Sequence, residues 1–100
     1  ADGNIKWTER TTSVTVAANS KNIIDCSGGS VTVTFPASPV FGNEIRIIDG
    51  TGNAATNNII INRNGNNIQG ASENFTIDID RAGIGFVYYN DSQGWILIEN

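Results

Sequence analysis

Acidic side chains are the first residues of this chain that could do chemistry. Asp78 and Asp80 stand two apart in the run Phe75-Thr76-Ile77-Asp78-Ile79-Asp80, so an extended backbone places both carboxylates on one strand face. Paired carboxylates hydrolyse glycosides when they flank a cleft with their pKa values driven apart, and they also ligate calcium. A lyase or hydrolase reading would enlist Asp78, Asp80 or Glu73. Alternate aspartates beside Arg81 are, however, the ordinary pattern of a solvated strand face. Asn62-Arg63-Asn64-Gly65-Asn66-Asn67 has the look of a calcium loop but lacks its acidic ligands and terminal glutamate. Gly50-Thr51-Gly52 is not followed by the Gly-Lys-Ser/Thr of a phosphate loop. Cys26 is the single cysteine, and the chain contains no histidine to activate it, so it reads as a small buried residue.

Aromatic side chains offer a second kind of chemistry. Tyr88, Tyr89 and Trp95 could stack on a sugar ring, with asparagines as hydrogen-bond partners. The same residues serve equally as core or interface filling. Asn74-Phe75-Thr76 and Asn90-Asp91-Ser92 match the glycosylation sequon and are expected to be chance matches, because no secretion leader is read at the start of the chain.

Composition narrows the choice. Absence of histidine and methionine, with one cysteine, removes histidine-based acid–base catalysis, histidine metal sites and intrachain disulfides. The expectation is no enzymatic activity and no cofactor or metal. Six Lys+Arg against ten Asp+Glu give a net charge of -4, so no nucleic-acid partner is expected. No apolar run approaches the ~20 residues of a membrane helix, so no membrane partner is expected either.

The elements that must position these residues are strands. Fifteen Ile, six Val and nine Thr stand against a single Leu, and β-branched side chains favour a pleated surface. Fourteen Asn and eleven Gly supply the turns between them. Strands are expected at 13–17, 22–25, 31–35, 44–49, 59–62, near 67–69, and at 75–79, 84–89 and 95–98. Val31-Thr32-Val33-Thr34-Phe35 alternates most cleanly and is ended by Pro36 and Pro39. Asn64-Gly65 predicts a tight hairpin joining 59–62 to 67–69. Asp49-Gly50-Thr51-Gly52-Asn53 reads as a flexible bend, and Phe75, Ile77 and Ile79 read as inward. About eight or nine short strands, spaced about 10–12 residues apart, predict an all-β fold. The architecture expected is a jelly-roll-like β-sandwich of mostly antiparallel strands. It forms one domain over 13–100, preceded by an N-terminal arm over 1–12 in which Ile5 and Trp7 are the docking candidates. No internal repeat of fixed period is apparent.

Several strands are apolar on both faces: Ile47-Ile48, Ile59-Ile60-Ile61, Phe86-Val87-Tyr88-Tyr89 and Trp95-Ile96-Leu97-Ile98. A free sandwich shows one polar face per sheet to water, so a second apolar face marks an interface, unless the segment 36–42 or the N-terminal arm folds over that face. The residues expected there are Ile60, Val87, Tyr89, Ile96 and Ile98, making the protein itself its first partner.

The serial order of elements carries a resemblance. Asp25-Cys26-Ser27-Gly28-Gly29 precedes Val31-Thr32-Val33-Thr34-Phe35-Pro36-Ala37-Ser38-Pro39. Gly42-Asn43-Glu44-Ile45 and Ile47-Ile48-Asp49 follow. Thr56-Asn57-Asn58-Ile59-Ile60-Ile61 leads to Arg63-Asn64-Gly65 and Ile68-Gln69-Gly70, then Phe86-Val87-Tyr88 and Gly94-Trp95. Over about 70 of its 100 residues the chain resembles a β-rich trimeric surface module of tailed-bacteriophage virion proteins. The resemblance implies a non-enzymatic structural protein of the virion, assembled in the host cytoplasm as a homotrimer beside other virion proteins. A complete small protein would suit head decoration (cement), and a piece of a longer one would suit a tail-fibre or baseplate module. The alternative function is an adhesin module that binds a host-surface glycan through Tyr88, Tyr89 or Trp95.

Overall fold

The computed structural model describes residues 6–99, with side chains through Ile98. Among these residues are nine strands: β1 (Trp7–Arg10), β2 (Val14–Thr15), β3 (Ser20–Ile24), β4 (Val31–Thr34), β5 (Glu44–Asp49), β6 (Ile59–Asn62), β7 (Phe75–Ile77), β8 (Gly83–Asn90) and β9 (Gly94–Glu99). They form a five-stranded sheet in the order β1-β3-β5-β8-β9 and a four-stranded sheet in the order β2-β4-β6-β7. Inward side chains from both sheets fill one core, as a β-sandwich requires.

Pairing direction differs from expectation. Among the described strands, four pairings are parallel (β1–β3, β2–β4, β3–β5, β4–β6) and three are antiparallel (β5–β8, β6–β7, β8–β9). Through β6 the chain visits the two sheets alternately, so it climbs as a two-sided coil rather than folding back in the Greek keys of a jelly roll. Parallel neighbours need a long crossover, and here the strand in the opposite sheet supplies it. Each turn of the coil is longer than the last. Trp7 lies opposite Lys21, 14 residues on, and Val14 opposite Val33, 19 on. Ser20 lies opposite Ile45, 25 on, and Val31 opposite Ile59, 28 on. A lengthening coil leaves no fixed period in the sequence.

Asparagine side chains staple successive turns of the coil. Asn57 Nδ2 donates to the Cys26 carbonyl at 2.8 Å, Asn64 Nδ2 to the Phe35 carbonyl at 3.0 Å, and Asn66 Nδ2 to the Ala37 carbonyl at 3.2 Å. Asn19 Oδ1 accepts from the Glu44 amide at 3.1 Å. Asn22 is fully buried; it accepts from Arg10 Nε at 3.1 Å and donates to Ser20 Oγ at 3.1 Å. A buried amide is tolerated only when partnered in this way.

The Asn64-Gly65 turn forms, with φ of 50° and 89°, but its expected partner strand does not. Residues 67–69 leave β6 and reach the start of β9, where the Trp95 amide donates to the Asn67 carbonyl and the Gln69 amide to the Trp95 carbonyl, each at 2.8 Å. β6 pairs with β7 instead. β7 stops at Ile77, because Arg81 takes a positive φ of 65° to turn the chain into β8; Ile79 is therefore 68% exposed rather than inward. The aromatic heart of the core joins both sheets. Phe35 packs edge-on against Phe86 and Trp95, each at 5.0 Å between centroids, Tyr88 meets Trp95 at 5.4 Å, and Phe75 meets Phe86 at 5.8 Å. Such edge-to-face pairs are worth about 0.5–1.5 kcal/mol each beyond their buried area.

Candidate interaction surface

The outer face of the five-stranded sheet is the surface with the most distinctive chemistry. In β8 the inward residues are Phe86 and Tyr88, so Val87 and Tyr89 point outward. In β9 Trp95 and Leu97 pack into the core, so Ile96 and Ile98 point outward. Register sets Val87 beside Ile96, and Ile98 beside Gly85. Val87, Ile96 and Ile98 are half-buried, while Tyr89 is 52% exposed. Four of the five residues expected at an interface thus form one contiguous apolar strip. Ile60 does not join it. It lies on the outer face of the four-stranded sheet, in a row with Thr32 and Thr76, because β6 buries Ile59 and Ile61. Beside that row Thr15, Thr34 and Asn62 line up likewise. A β-branched, mostly hydroxylated face is suited to water.

Phe41 extends the strip and was not singled out in the sequence. Residues 40–43 make a tight turn in which the Asn43 amide donates to the Val40 carbonyl at 3.1 Å, with Gly42 at φ 87°. Positive φ at the third turn position is the type II requirement that glycine meets. The turn is pinned to β8 by two 2.9 Å bonds, Gly42 N–H to the Tyr88 carbonyl and Tyr88 N–H to the Asn43 carbonyl. Asn43 Oδ1 also accepts from the Val40 amide at 2.9 Å. Two apolar side chains are thereby held in solvent: Phe41 is 76% and Val40 63% exposed, with the Phe41 ring 6.4 Å from that of Tyr89.

The other half of the face is cationic and aromatic. Of the expected arm, residues 7–10 are β1 and pair in parallel with β3, while Ile5 lies outside the described residues. Trp7 is 48% exposed, with the Lys21 ammonium 5.8 Å from its ring centroid. Arg46 Nε donates to Glu44 Oε2 at 2.7 Å, a surface pair worth little by itself. Trp7, Lys21, Arg46, Ile48, Gly83 and Ile84 line an open groove of about 460 Å³.

The remaining candidates are placed as follows. Trp95 and Tyr88 are core residues, 0% and 4% exposed, and the Tyr88 hydroxyl donates to Asp91 Oδ1 at 2.8 Å. Of the proposed sugar platform only Tyr89 faces solvent. Asp78, Asp80 and Glu73 are exposed, and Asp80 Oδ1 accepts the Ala55 amide at 2.8 Å, fastening one loop to another. Cys26 is fully buried, its Sγ 3.8 Å from Asp49 Oδ1; burial, then the Asp49 charge, push the thiol above its ordinary pKa. That is the environment of an inert cysteine.

Asp49 is the carboxylate that sequence reading missed. It is 1% exposed and accepts five main-chain amides. Thr51 (3.2 Å), Gly52 (3.0 Å) and Asn53 (3.4 Å) bond to Oδ1, and Ala54 (3.0 Å) and Arg81 (2.9 Å) to Oδ2. Burial pushes its pKa up, yet the amides of Arg81, Ala54, Gly52 and Thr51 outweigh it and hold the carboxyl below its ordinary value. The expected flexible bend at 49–53 is instead a loop wrapped around a buried anion. With its lone pairs so occupied, Asp49 is a structural acceptor rather than a general base. Only Asp followed by glycines hinted at it in the sequence. Compared with known proteins, the chain matches no family model, and no curated protein matches its sequence.

Proposed function

We propose that this domain is a non-enzymatic structural module of a tailed-phage virion surface, assembling as a homotrimer through the outer face of its five-stranded sheet. The observation that carries the assembly is the strip Val87, Tyr89, Ile96 and Ile98, continued by Phe41 and Val40. Contiguous exposed apolar surface of this kind marks interfaces. Fully burying a large apolar side chain contributes about 1.5–3 kcal/mol, so a few such residues per subunit add much to a 100-residue domain. The virion assignment rests on the serial order of elements from Cys26 to Trp95. Its role there is mechanical, as head decoration or as a fibre or baseplate module beside other virion proteins. The glycan-binding alternative loses two of its three stacking residues to the core.

An antibody raised against the domain tests the virion assignment. It should label intact particles banded from a phage lysate. Label confined to the soluble fraction would overturn the assignment.

A further inference from the structure

Four of the described strands stand at sheet edges, β1 and β9 in one sheet and β2 and β7 in the other. A long apolar edge is an open template on which another chain can pair. Brevity blunts β2 and β7, which have two and three residues, and β1 carries Glu9 and Arg10. β9 has neither protection. It runs for six residues, and Trp95-Ile96-Leu97-Ile98 holds no charge and no proline. We propose that Gln69 is a guard on this edge: its side chain closes β9 so that a second copy of the chain cannot add its own β9 there. The inference concerns the edge, not the outer face, and holds for a monomer and a trimer alike.

The segment 67–69 lies along β9 as a short parallel ladder. The Trp95 amide donates to the Asn67 carbonyl and the Gln69 amide to the Trp95 carbonyl, each at 2.8 Å. In a parallel ladder the next bond would run from the Leu97 amide to the main-chain carbonyl of Gln69. That bond is not made, because Gln69 takes a positive φ of 54° and the chain turns back, the Gly70 amide donating to the Gln93 carbonyl at 2.9 Å. Gln69 Oε1 accepts the Leu97 amide instead, at 3.2 Å. The side-chain amide thus stands in for the missing peptide carbonyl and carries the cover one position further.

Two features single out this role. Positive φ is at home in glycine and asparagine, and this chain uses both at its other turns, yet here the strained position holds a glutamine. Asparagine would suit the backbone better but is one methylene shorter. The bond is also exposed, so water could satisfy the Leu97 amide equally well. Stability alone therefore does not explain the residue. What water cannot do is keep out a second strand.

Variants at position 69 test this by light scattering over a concentration series, with amide exchange at Leu97 as the local readout. Gln69→Gly keeps the backbone conformation and removes the acceptor; Gln69→Asn keeps an amide that falls short; Gln69→Glu keeps an acceptor of full reach. In the first two, Leu97 should exchange about tenfold faster. Both should run heavier than the wild type, increasingly so at high concentration, with unchanged tryptophan emission. Gln69→Glu should keep the wild-type mass. Faster exchange with no gain in mass would overturn the guard role, and so would exchange at the wild-type rate. A gain in mass for Gln69→Glu equal to that of Gln69→Gly would overturn it too. The wild-type mass is only the reference, so failure here is distinct from failure of the trimer reading.

Discussion

Replacing Asp49 by asparagine probes the device that holds the coil to its closing hairpin. The substitution conserves size but removes the charge and turns one acceptor oxygen into an NH2 group. Five main-chain donors converge on Asp49 Oδ1 and Oδ2 at 2.9–3.4 Å. Whichever way the amide lies, its NH2 faces at least two of them, and the others bond to a neutral oxygen. Hydrogen bonds to a charged group are worth about 1.5–3 kcal/mol, and each stranded buried donor costs about 1–3 kcal/mol. Allowing for relaxation, the loss is about 3 kcal/mol, a large share of the ~5–15 kcal/mol of a typical domain. At ~4–8 °C per kcal/mol for a domain of this size, the melting temperature falls by about 12–24 °C. The assay is urea unfolding followed by tryptophan fluorescence, at pH values from 7 down to 2. Folded Asp49 titrates below its unfolded value, so its contribution is complete above the unfolded pKa of about 3.9 and is lost as pH falls through the folded pKa. The gap between wild type and variant is therefore constant near neutrality and narrows on acidification below about pH 4. A neutral-pH gap under 1 kcal/mol, or one unchanged down to pH 2, would refute the reasoning.

Other expectations can be checked on the same protein. Trp95→Ala should cost about 3–5 kcal/mol in denaturant unfolding, as for other large core aromatics. Trp95→Phe should cost clearly less, because the buried Trp95 Nε1 has no hydrogen-bond partner among the described residues; equal losses would contradict this. Cys26 should resist a thiol reagent at pH 8 and react fully in urea; rapid labelling of the folded protein would show that the thiol is accessible. Gly94→Ala should destabilise by about 3 kcal/mol or more, since Gly94 has φ 72° and an added Cβ would collide with the Asn67 backbone. A near-wild-type melting curve for that variant would mean the crossing of 67–69 onto β9 is looser than described.

Strand positions were legible in the sequence because period-two alternation is a direct consequence of the pleat. Val31, Val33 and Phe35 are buried as the alternation of that segment requires, and Val87, Ile96 and Ile98 take the outward register read for them. Strand direction was not legible, because alternation is the same in parallel and antiparallel neighbours. A turn every ten residues or so fits a hairpin and a crossing between sheets equally well. The offsets that betray a coil lengthen from 14 to 28 residues, so they never present as a repeat. Apolar character on both faces gives β8 and β9 an outward apolar strip, whereas in β6 the outward Ile60 sits among threonines. Asp49 was invisible because its partners are backbone amides, which every residue carries. Phe41 was obscured for a different reason: a lone aromatic in a proline-bearing loop looks the same whether it folds inward or is held outward by its turn.

In the proposed assembly the outer face of the five-stranded sheet is buried between copies. Light scattering of the wild-type protein across a concentration series measures this. The expected result is a mass three times 10.7 kDa that persists on dilution. A mass of 10.7 kDa at every concentration would contradict it.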